Sequence, residues 1–373
     1  MNAPLNPIRV GNKKIGNGES LYFIAEIGIN HDGKLGQAKK LIEVAAAAEA
    51  DAAKFQLFTA KNMYVHRKAA GTYELMGKKL SIYDLVASVE VPPEWLGELN
   101  DYCKQHGILF FSSIFDFHSL EIADKYMELF KFSSYDCTNL PLLTAAAKLK
   151  KPIIVSLGGA TMREAAEAAE TLQDASFSFM HCIAKYPAPL KYANLAVIPM
   201  LKQAFGCPAG FSDNGFVDDA GNIDNHIIPE AAAAAGADLF EIHITTDRKL
   251  PGPDHGFAAE PDELKRMVKK MQETRQQYNS GRPPSIRKEL LGSSIRKTYD
   301  IEKYVRDFCY RQIFAIQPIK KGEKFTPKNI SILRPGESKE RGLEPKYYPL
   351  LLQAHASMDV QQWTAIQREH ILS

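Results

Sequence analysis

The chain has 373 residues, 45% of them hydrophobic and 24% charged, which is typical of a globular protein with one large domain and a smaller one. Its formal net charge of +2 excludes the strongly basic character of proteins that bind nucleic acid or anionic membranes through a broad surface field. The five cysteines are scattered without a CxxC pair, which argues against a zinc ribbon or a disulfide framework. Because no apolar stretch has the length of a signal-peptide core or a membrane span, we predict a cytoplasmic protein.

Two short runs, Ile8–Val10 and Lys13–Ile15, predict an N-terminal hairpin, and after them short apolar runs alternate with segments of helical periodicity. The predicted strands are residues 22–27, 52–57, 108–113, 129–133, 153–157, 177–181, 209–212 and 239–244. The predicted helices between them include residues 35–50, 93–106, 140–149, 162–173 and 227–235.

Strands that alternate with helices predict a parallel sheet, and runs that are apolar almost throughout predict strands buried on both faces. Eight such units in about 250 residues favour a (β/α)8 barrel, also called a TIM barrel. A doubly wound open sheet is the alternative, but no GxGxxG motif follows the first predicted strand.

Two parts of the chain depart from this pattern. Residues 58–91 form a connection too long for a plain βα loop, with a predicted short helix at 81–88, and either a lid or a dimer contact would explain it. Residues 281–305 are rich in Pro, Gly, Ser and basic side chains. They are predicted to be a linker between a barrel domain (1–280) and a small β-rich domain (306–373).

Polar residues end every predicted barrel strand, at the edge where barrel enzymes carry their active sites. They include Glu26, Lys54, Gln56, Ser113, Lys131, Ser134, Ser156, Ser212, Glu241 and His243, with Asp136 and Tyr186 just beyond. Lys54 and Lys131 lie inside apolar segments, where an unpaired ammonium group would be costly. Two inward lysines among hydroxyl groups predict a pocket for a small anion, such as a phosphate with a nearby carboxylate. Glu26, Asp136 and Asp254 are candidates for charge balance, sugar binding or proton transfer.

A series of short motifs runs through the chain in order. The series is AEIGINHDG (25–33), AAKFQ (52–56), FKFSS (130–134), SLGG (156–159), HC and YPAP (181–189), GFSD (210–213), EIHIT (241–245) and LPGPDH (250–255). It resembles the sialic acid synthases, which are phosphoenolpyruvate-dependent nonulosonate synthases. The later IKKGEKFT, NISILRPGES and GLEP resemble their C-terminal antifreeze-like domain, also called SAF.

The resemblance implies an enzyme that condenses phosphoenolpyruvate with an open-chain aldose, such as N-acetylmannosamine, and releases phosphate during the synthesis of a surface polysaccharide. It implies that phosphoenolpyruvate is held by Lys54, Lys131, Ser134, Ser156 and Ser212. Glu26 falls on the carboxylate that contacts the sugar, Asp136 replaces a glutamate, and the other active-site positions fall on Gln56, Ser113, Tyr186 and Asp254. Arg334 matches an arginine that the antifreeze-like domain sends into the partner subunit's site, so the resemblance also implies a domain-swapped homodimer.

The resemblance further implies a divalent metal, manganese or magnesium, held by two histidines. One of these positions is His243, which is expected to share a strand face with Glu241. The other is Asn214, whose amide oxygen is a weaker manganese ligand than imidazole. His255 or His226 is a substitute only if the loops bring it to the site.

Ala184 stands where the related enzymes commonly have an asparagine near the acetamido group, so a different sugar is expected. Two other functions stay open at this point. A Schiff-base aldolase would use Lys131 or Lys54 on pyruvate without phosphoenolpyruvate. A non-catalytic sugar-binding or regulatory relative is suggested by Asn214 and Ala184.

Overall fold

The computed structural model describes residues 6–75, 77–223, 226–338 and 340–372. Eight parallel strands close into a barrel in which each strand pairs with its neighbours along the chain and the last pairs with the first. From the first to the eighth, the barrel strands are Tyr22–Gly28, Ala52–Leu57, Leu109–Ile114, Phe130–Phe132, Ile153–Ser156, Phe177–His181, Ala209–Asp213 and Leu239–His243. The predicted barrel is therefore confirmed, and the doubly wound alternative is wrong because the sheet has no open edge.

A helix follows each barrel strand and packs outside it. These helices are Leu35–Ala47, Trp95–Gln105, Phe117–Ala123, Leu140–Lys148, Met162–Thr171, Val197–Phe205, Ile227–Ala234 and Pro261–Asn279. The first helix ends three residues before its predicted boundary, since Glu49 adopts a left-handed φ of 63° that a helix cannot continue. Side chains on both faces of the strands are buried, which explains why the strand sequences are apolar almost throughout.

The predicted N-terminal hairpin is confirmed, with Ile8–Val10 antiparallel to Lys13–Ile15. Ile8, Val10 and Ile15 pack against residues at the beginnings of the barrel strands, including Tyr22 and Ile24. The hairpin therefore closes the amino-terminal end of the barrel, and the opposite end is left for a pocket.

The long connection after the second barrel strand contains two helices, Ala60–Met63 and Ile82–Ser88, and a hairpin of Thr72–Leu75 with Lys78–Ser81. Ser81 caps the second helix, because its side chain accepts a hydrogen bond from the backbone of Asp84. This agrees with the predicted short helix.

The segment predicted as a linker is folded against the barrel. It contains the helix Lys288–Leu291, a 3-10 turn, Asp300–Glu302, and the beginning of the helix Lys303–Cys309. Arg296 and Glu302 form a fully buried ion pair, and Glu302 also accepts hydrogen bonds from the backbone nitrogens of Gly159 and Ala184. These buried contacts, rather than composition, decide the conformation of the segment. The domain boundaries given above stay a prediction.

The last part of the chain contains the antiparallel strands Gln312–Ala315 and Ile330–Leu333, the helix Tyr348–Leu351, and the antiparallel pair His355–Ala356 and Ile371–Leu372. It has its own hydrophobic cluster, which includes Ile313, Phe325, Ile330, Leu351 and Val360. Across the described residues, no helix combines the length and the apolar character needed to span a membrane.

Candidate active site

A cavity of about 250 Å³ opens at the carboxyl-terminal end of the barrel. Its walls contain every predicted site residue except Asp136: Glu26, Lys54, Gln56, Ser113, Lys131, Ser134, Tyr186, Ser156, Ser212, Asn214, His243, Asp254 and Arg334. It is also lined by Phe115, Ser133, Tyr135, Cys182 and Glu241. The end of the barrel therefore brings together side chains that are more than 300 positions apart in the sequence.

The strand register explains why these side chains meet. Glu26 lies beside Lys54 on the neighbouring strand, and His243 lies beside Glu26 on the other side. Ser113 lies beside Lys131 in the same way. Because parallel strands of a barrel end in one layer, residues at matching register face the same cavity.

Two buried lysines and two buried carboxylates form the base of the cavity. Lys54 Nζ lies 2.6 Å from Glu26 Oε2 and 3.5 Å from Glu241 Oε1, and it donates a 3.0 Å hydrogen bond to Ser113 Oγ. Lys131 Nζ lies 3.4 Å from the same oxygen of Glu241. The positive charges of the two lysines nearly balance the negative charges of the two carboxylates. The ion pairs of this cluster can rearrange when an anion enters the cavity.

Burial and neighbouring charges shift the pKa values of this cluster in different directions. Burial lowers the pKa of Lys131, whereas for Lys54 the attraction of Glu241 and Glu26 outweighs burial and raises the pKa. Burial raises the pKa of Glu26 despite the nearby Lys54. For Glu241, the two lysines outweigh burial and lower the pKa. Glu26 is therefore the carboxyl group of this cluster that is best suited to carry a proton.

Glu241 was predicted only as a polar residue at a strand end, but it makes several contacts at the base of the cavity. It contacts both lysines and accepts a 3.2 Å hydrogen bond from Ser212 Oγ. The sequence indicates this position, because Glu241 and His243 are two residues apart and therefore lie on the same face of the last strand.

Several buried polar atoms around the cavity have no hydrogen-bond partner within the described residues. They are Ser156 Oγ, Glu241 Oε2, His243 Nδ1 and Arg334 Nε. Buried polar atoms are seldom left unpaired in a folded protein, so their convergence on one cavity indicates a polar, charged ligand. Gly158 lets Ser134 and Cys182 approach its backbone, because a Cβ there would lie 2.9 Å from Ser134 Oγ and 2.7 Å from Cys182 Sγ.

The residues predicted to hold a metal lie together at one side of the cavity. His243 Nδ1 is 3.7 Å from Asp254 Oδ2, and burial lowers the pKa of His243, which keeps its imidazole neutral and able to bind a cation. Asn214 donates its amide nitrogen to the Ile183 carbonyl at 3.0 Å, so the amide oxygen is left for the cavity. The described residues contain no cluster of three or more His, Cys, Asp or Glu side chains suited to a metal ion.

The two histidines considered as substitutes lie elsewhere. His255 is fully buried and is engaged by Thr245 Oγ1 at 2.7 Å and Asp32 Oδ1 at 3.1 Å. His226 precedes the helix Ile227–Ala234 and lines a different cavity. Neither can complete a metal site with His243 in this conformation.

Asp136 was predicted among the catalytic residues, and the structure places it outside the residues that line the cavity. It is completely buried and accepts hydrogen bonds from Ser133 Oγ at 2.6 Å and Arg311 Nε at 2.5 Å. Both of its oxygens are therefore occupied by protein groups, and it contacts Arg311, which lies 175 positions away.

Arg334 enters the cavity of its own chain, whereas the resemblance predicts that it enters the site of a partner. Its backbone nitrogen donates to the Met63 carbonyl at 2.8 Å, and its guanidinium lies among the rings of Tyr64, Phe115 and Tyr135 at 5.2 to 6.0 Å. The long connection, 58–91, supplies two of these contacts, through the Met63 carbonyl and the Tyr64 ring.

Comparisons with known proteins identify a family model and several proteins whose sequences are similar to this chain. The sequence model of the NeuB family matches residues 41–282. The spore coat polysaccharide biosynthesis protein SpsE of Bacillus subtilis is 43% identical over 98% of this chain and 97% of its own length. The N,N'-diacetyllegionaminic acid synthase of Campylobacter jejuni is 34% identical over 84% of this chain and 90% of its own length.

Two crystal structures are similar to this chain. The structure of SpsE from Bacillus subtilis superposes with a TM-score of 0.86 at 41% identity and covers 99% of both chains. The structure of an N-acetylneuraminic acid synthetase from Leptospira borgpetersenii in complex with citrate has a TM-score of 0.66 at 32% identity and covers 73% of this chain and 90% of that one.

Proposed function

The chain belongs to the NeuB family, and we propose that it joins phosphoenolpyruvate to an open-chain aldose, forming a 3-deoxy-2-keto sugar acid and releasing phosphate. The observation that carries the proposal is the base of the cavity. There, two buried lysines and the hydroxyls of Ser134, Ser156 and Ser212 surround a space for a compact anion. Phosphoenolpyruvate carries a phosphate and a carboxylate close together, which matches that pair of lysines.

The proposed reaction forms one carbon–carbon bond. The C3 carbon of phosphoenolpyruvate attacks the aldehyde carbon, and the aldehyde oxygen takes up a proton. Positive charge develops at C2, where water adds and loses a proton. The resulting tetrahedral intermediate breaks its C2–O bond to phosphate, the C2 hydroxyl gives its proton to the departing phosphate, and the oxygen from water becomes the keto group. Lys54 and Lys131 stabilise the departing phosphate.

Two carboxyl groups are proposed to move the protons. Burial raises the pKa values of Glu26 and of Asp254, so both bind protons more readily than ordinary carboxyl groups. Gln56 Nε2 orients Glu26 through a 2.8 Å hydrogen bond. Asp136, which is paired with Arg311, takes no part in this step.

A divalent cation, Mn²⁺ or Mg²⁺, is proposed to be held by His243 and Asn214, with the Asp254 carboxylate close by. The neutral imidazole with an unpaired nitrogen and the amide oxygen fit such an ion. When bound, the ion would supply Lewis acidity at the aldehyde oxygen.

The proposals for the acceptor sugar and for the pathway rest on the surroundings of Ala184 and on similarity to a polysaccharide biosynthesis protein. Ala184 offers only a methyl group, and its backbone nitrogen is taken by Glu302 at 2.9 Å, so this loop presents no side-chain amide to an acetamido group. We therefore propose an aldose other than N-acetylmannosamine. Similarity to a spore coat polysaccharide protein supports a cytoplasmic enzyme of surface polysaccharide synthesis. A homodimer and an antifreeze-like identity for the C-terminal part rest on the sequence resemblance.

The test measures phosphate release from phosphoenolpyruvate across a panel of aldoses, with chelator-treated protein and with Mn²⁺ or Mg²⁺ restored. We expect release that depends on one aldose and is lost in Lys54→Met. The matched control is Lys346→Met, because Lys346 pairs with Glu167 outside the cavity. If phosphoenolpyruvate binds but no aldose releases phosphate, the chain is a non-catalytic relative and the proposal is wrong.

One observation favours the Schiff-base aldolase as a second candidate: burial lowers the pKa of Lys131, as an amine nucleophile requires. Borohydride reduction in the presence of pyruvate separates the two reactions. The synthase leaves the mass of the protein unchanged. An aldolase gains the mass of a reduced pyruvate adduct on Lys131.

A further inference from the structure

We propose that Arg311 is a positioning residue that holds Arg334 in the active-site cavity, with Asp136 as its anchor on the barrel. Arg311 is fully buried and does not line the cavity, so it cannot touch a substrate directly. The inference rests on the proposed function for its kinetic test, but the contacts that carry it are independent of the reaction.

Arg311 and Arg334 flank the same end of one hairpin. In the hairpin of Gln312–Ala315 with Ile330–Leu333, the last pair is Gln312 with Leu333. One step further lie Arg311 and Arg334. Both arginines are buried, and two like charges in a buried region repel each other more strongly than in water. A buried anion is therefore needed here, and Asp136 supplies it through Arg311 Nε at 2.5 Å.

Arg311 joins three segments, and each of them also contacts Arg334. Its Nη1 atom donates to the Ile332 carbonyl at 3.1 Å, in the strand that leads directly to Arg334. The same atom donates to the Asn62 carbonyl at 3.1 Å, in the helix whose Met63 carbonyl accepts from the Arg334 backbone.

The third segment is the turn Ser134–Asp136 that follows the fourth barrel strand. Ser134 lines the cavity, the ring centroid of Tyr135 lies 5.2 Å from the Arg334 guanidinium carbon, and Asp136 binds Arg311. One turn therefore couples the anion pocket to the segment that delivers the arginine.

A planar guanidinium is needed for this role, because its separate nitrogens reach Asp136 and the two carbonyls at once. Lysine has a single ammonium at the end of its chain and cannot span the same three acceptors. Arg311→Lys therefore keeps the charge but loosens the three segments, and it is the informative variant.

The first test is a double-mutant cycle on aldose-dependent phosphate release. We expect Arg311→Lys to lower kcat/KM roughly 10-fold or more in the otherwise native chain, but less than about 2-fold when Arg334 is already alanine. An equal loss in both backgrounds would overturn the proposal, since Arg311 would then act on the fold in general. Lys346→Met, which removes another contact between the C-terminal segment and the barrel, should be additive with Arg334→Ala.

The second test needs no turnover. Amide hydrogen exchange in Arg311→Lys and Asp136→Asn should accelerate at the backbone of Arg334, whose nitrogen donates to Met63, and at Gly336, whose nitrogen donates to Phe308. The barrel strands should keep native protection. Unchanged exchange at Arg334 overturns the positioning role. If instead the native protein releases no phosphate with any aldose, the proposed function fails while the exchange result still decides this proposal.

Discussion

Replacing Lys131 with methionine separates the stability of the cavity from its affinity for an anion. Methionine has a similar length and no charge. In the native chain, the Lys131 ammonium lies 3.4 Å from Glu241, which corresponds to an attraction of about 5 kcal/mol at an effective dielectric constant of about 20. Burying the ammonium costs several kcal/mol, so the two contributions nearly cancel.

Glu241 is not left alone by this substitution. It keeps Lys54 at 3.5 Å and the Ser212 hydroxyl at 3.2 Å. We therefore expect the free energy of unfolding to change by less than about 2 kcal/mol. The loss of one charged donor to phosphoenolpyruvate is worth about 1.5 to 3 kcal/mol. This corresponds to a dissociation constant for phosphoenolpyruvate that is roughly 10- to 150-fold higher.

Two measurements check the expectation. Titration calorimetry gives the dissociation constant of phosphoenolpyruvate, and urea unfolding gives the stability of the same variant. Lys346→Met, outside the cavity, should bind phosphoenolpyruvate like the native protein. An unchanged dissociation constant for Lys131→Met would refute the assignment of the anion pocket, and so would a large loss of stability with intact binding.

Three further predictions concern the remaining contacts of the fold. Glu302→Gln should lower the free energy of unfolding by about 3 to 5 kcal/mol, measured by urea titration, because it leaves the buried Arg296 without its anion. Burial raises the pKa of Glu164, but the hydrogen bonds from Arg306 and Thr161 and the positive charge of Arg306 together outweigh burial and lower the pKa below its ordinary value of 4.5. This pair should therefore stabilise the fold above pH 4.5 and lose its contribution as the pH falls through the folded-state pKa. Urea unfolding of native and Glu164→Gln protein at several pH values should show that the difference shrinks in acid. Co-expressed Arg334→Ala and Lys131→Met chains should regain no activity, because Arg334 lines the cavity of its own chain in this structure.

Each of these predictions has a contrary result. Native stability in Glu302→Gln would mean that the segment 281–305 does not contribute to the folded core. A constant difference between native and Glu164→Gln across the pH range would mean that Glu164 titrates alike in the folded and unfolded chain. Activity recovered in the mixed chains would mean that Arg334 is exchanged between subunits, as the resemblance predicts.

The barrel and most of the residues that line its cavity could be predicted from the sequence because both depend on local patterns. Runs that are apolar on both faces occur where strands are covered by helices, and parallel strands must end at a common edge. The positions of Lys54 inside AAKFQ and Lys131 inside FKFSS therefore suffice to predict that both side chains enter the cavity.

Contacts between distant parts of the chain had to come from the tertiary structure. The sequence around Asp136 suggests a catalytic carboxylate, but in the structure Asp136 accepts a hydrogen bond from Arg311, which lies 175 positions later. Residues 281–305 have the composition of a linker, but Arg296 donates to the Leu157 carbonyl of the barrel, and Glu302 accepts from the backbone nitrogens of Gly159 and Ala184. Composition and periodicity describe each segment alone, whereas a buried charge depends on which partner the fold brings within a few ångströms. For that reason the sequence determined the barrel and its anion pocket, and only the packed structure decided how Arg334 reaches that pocket.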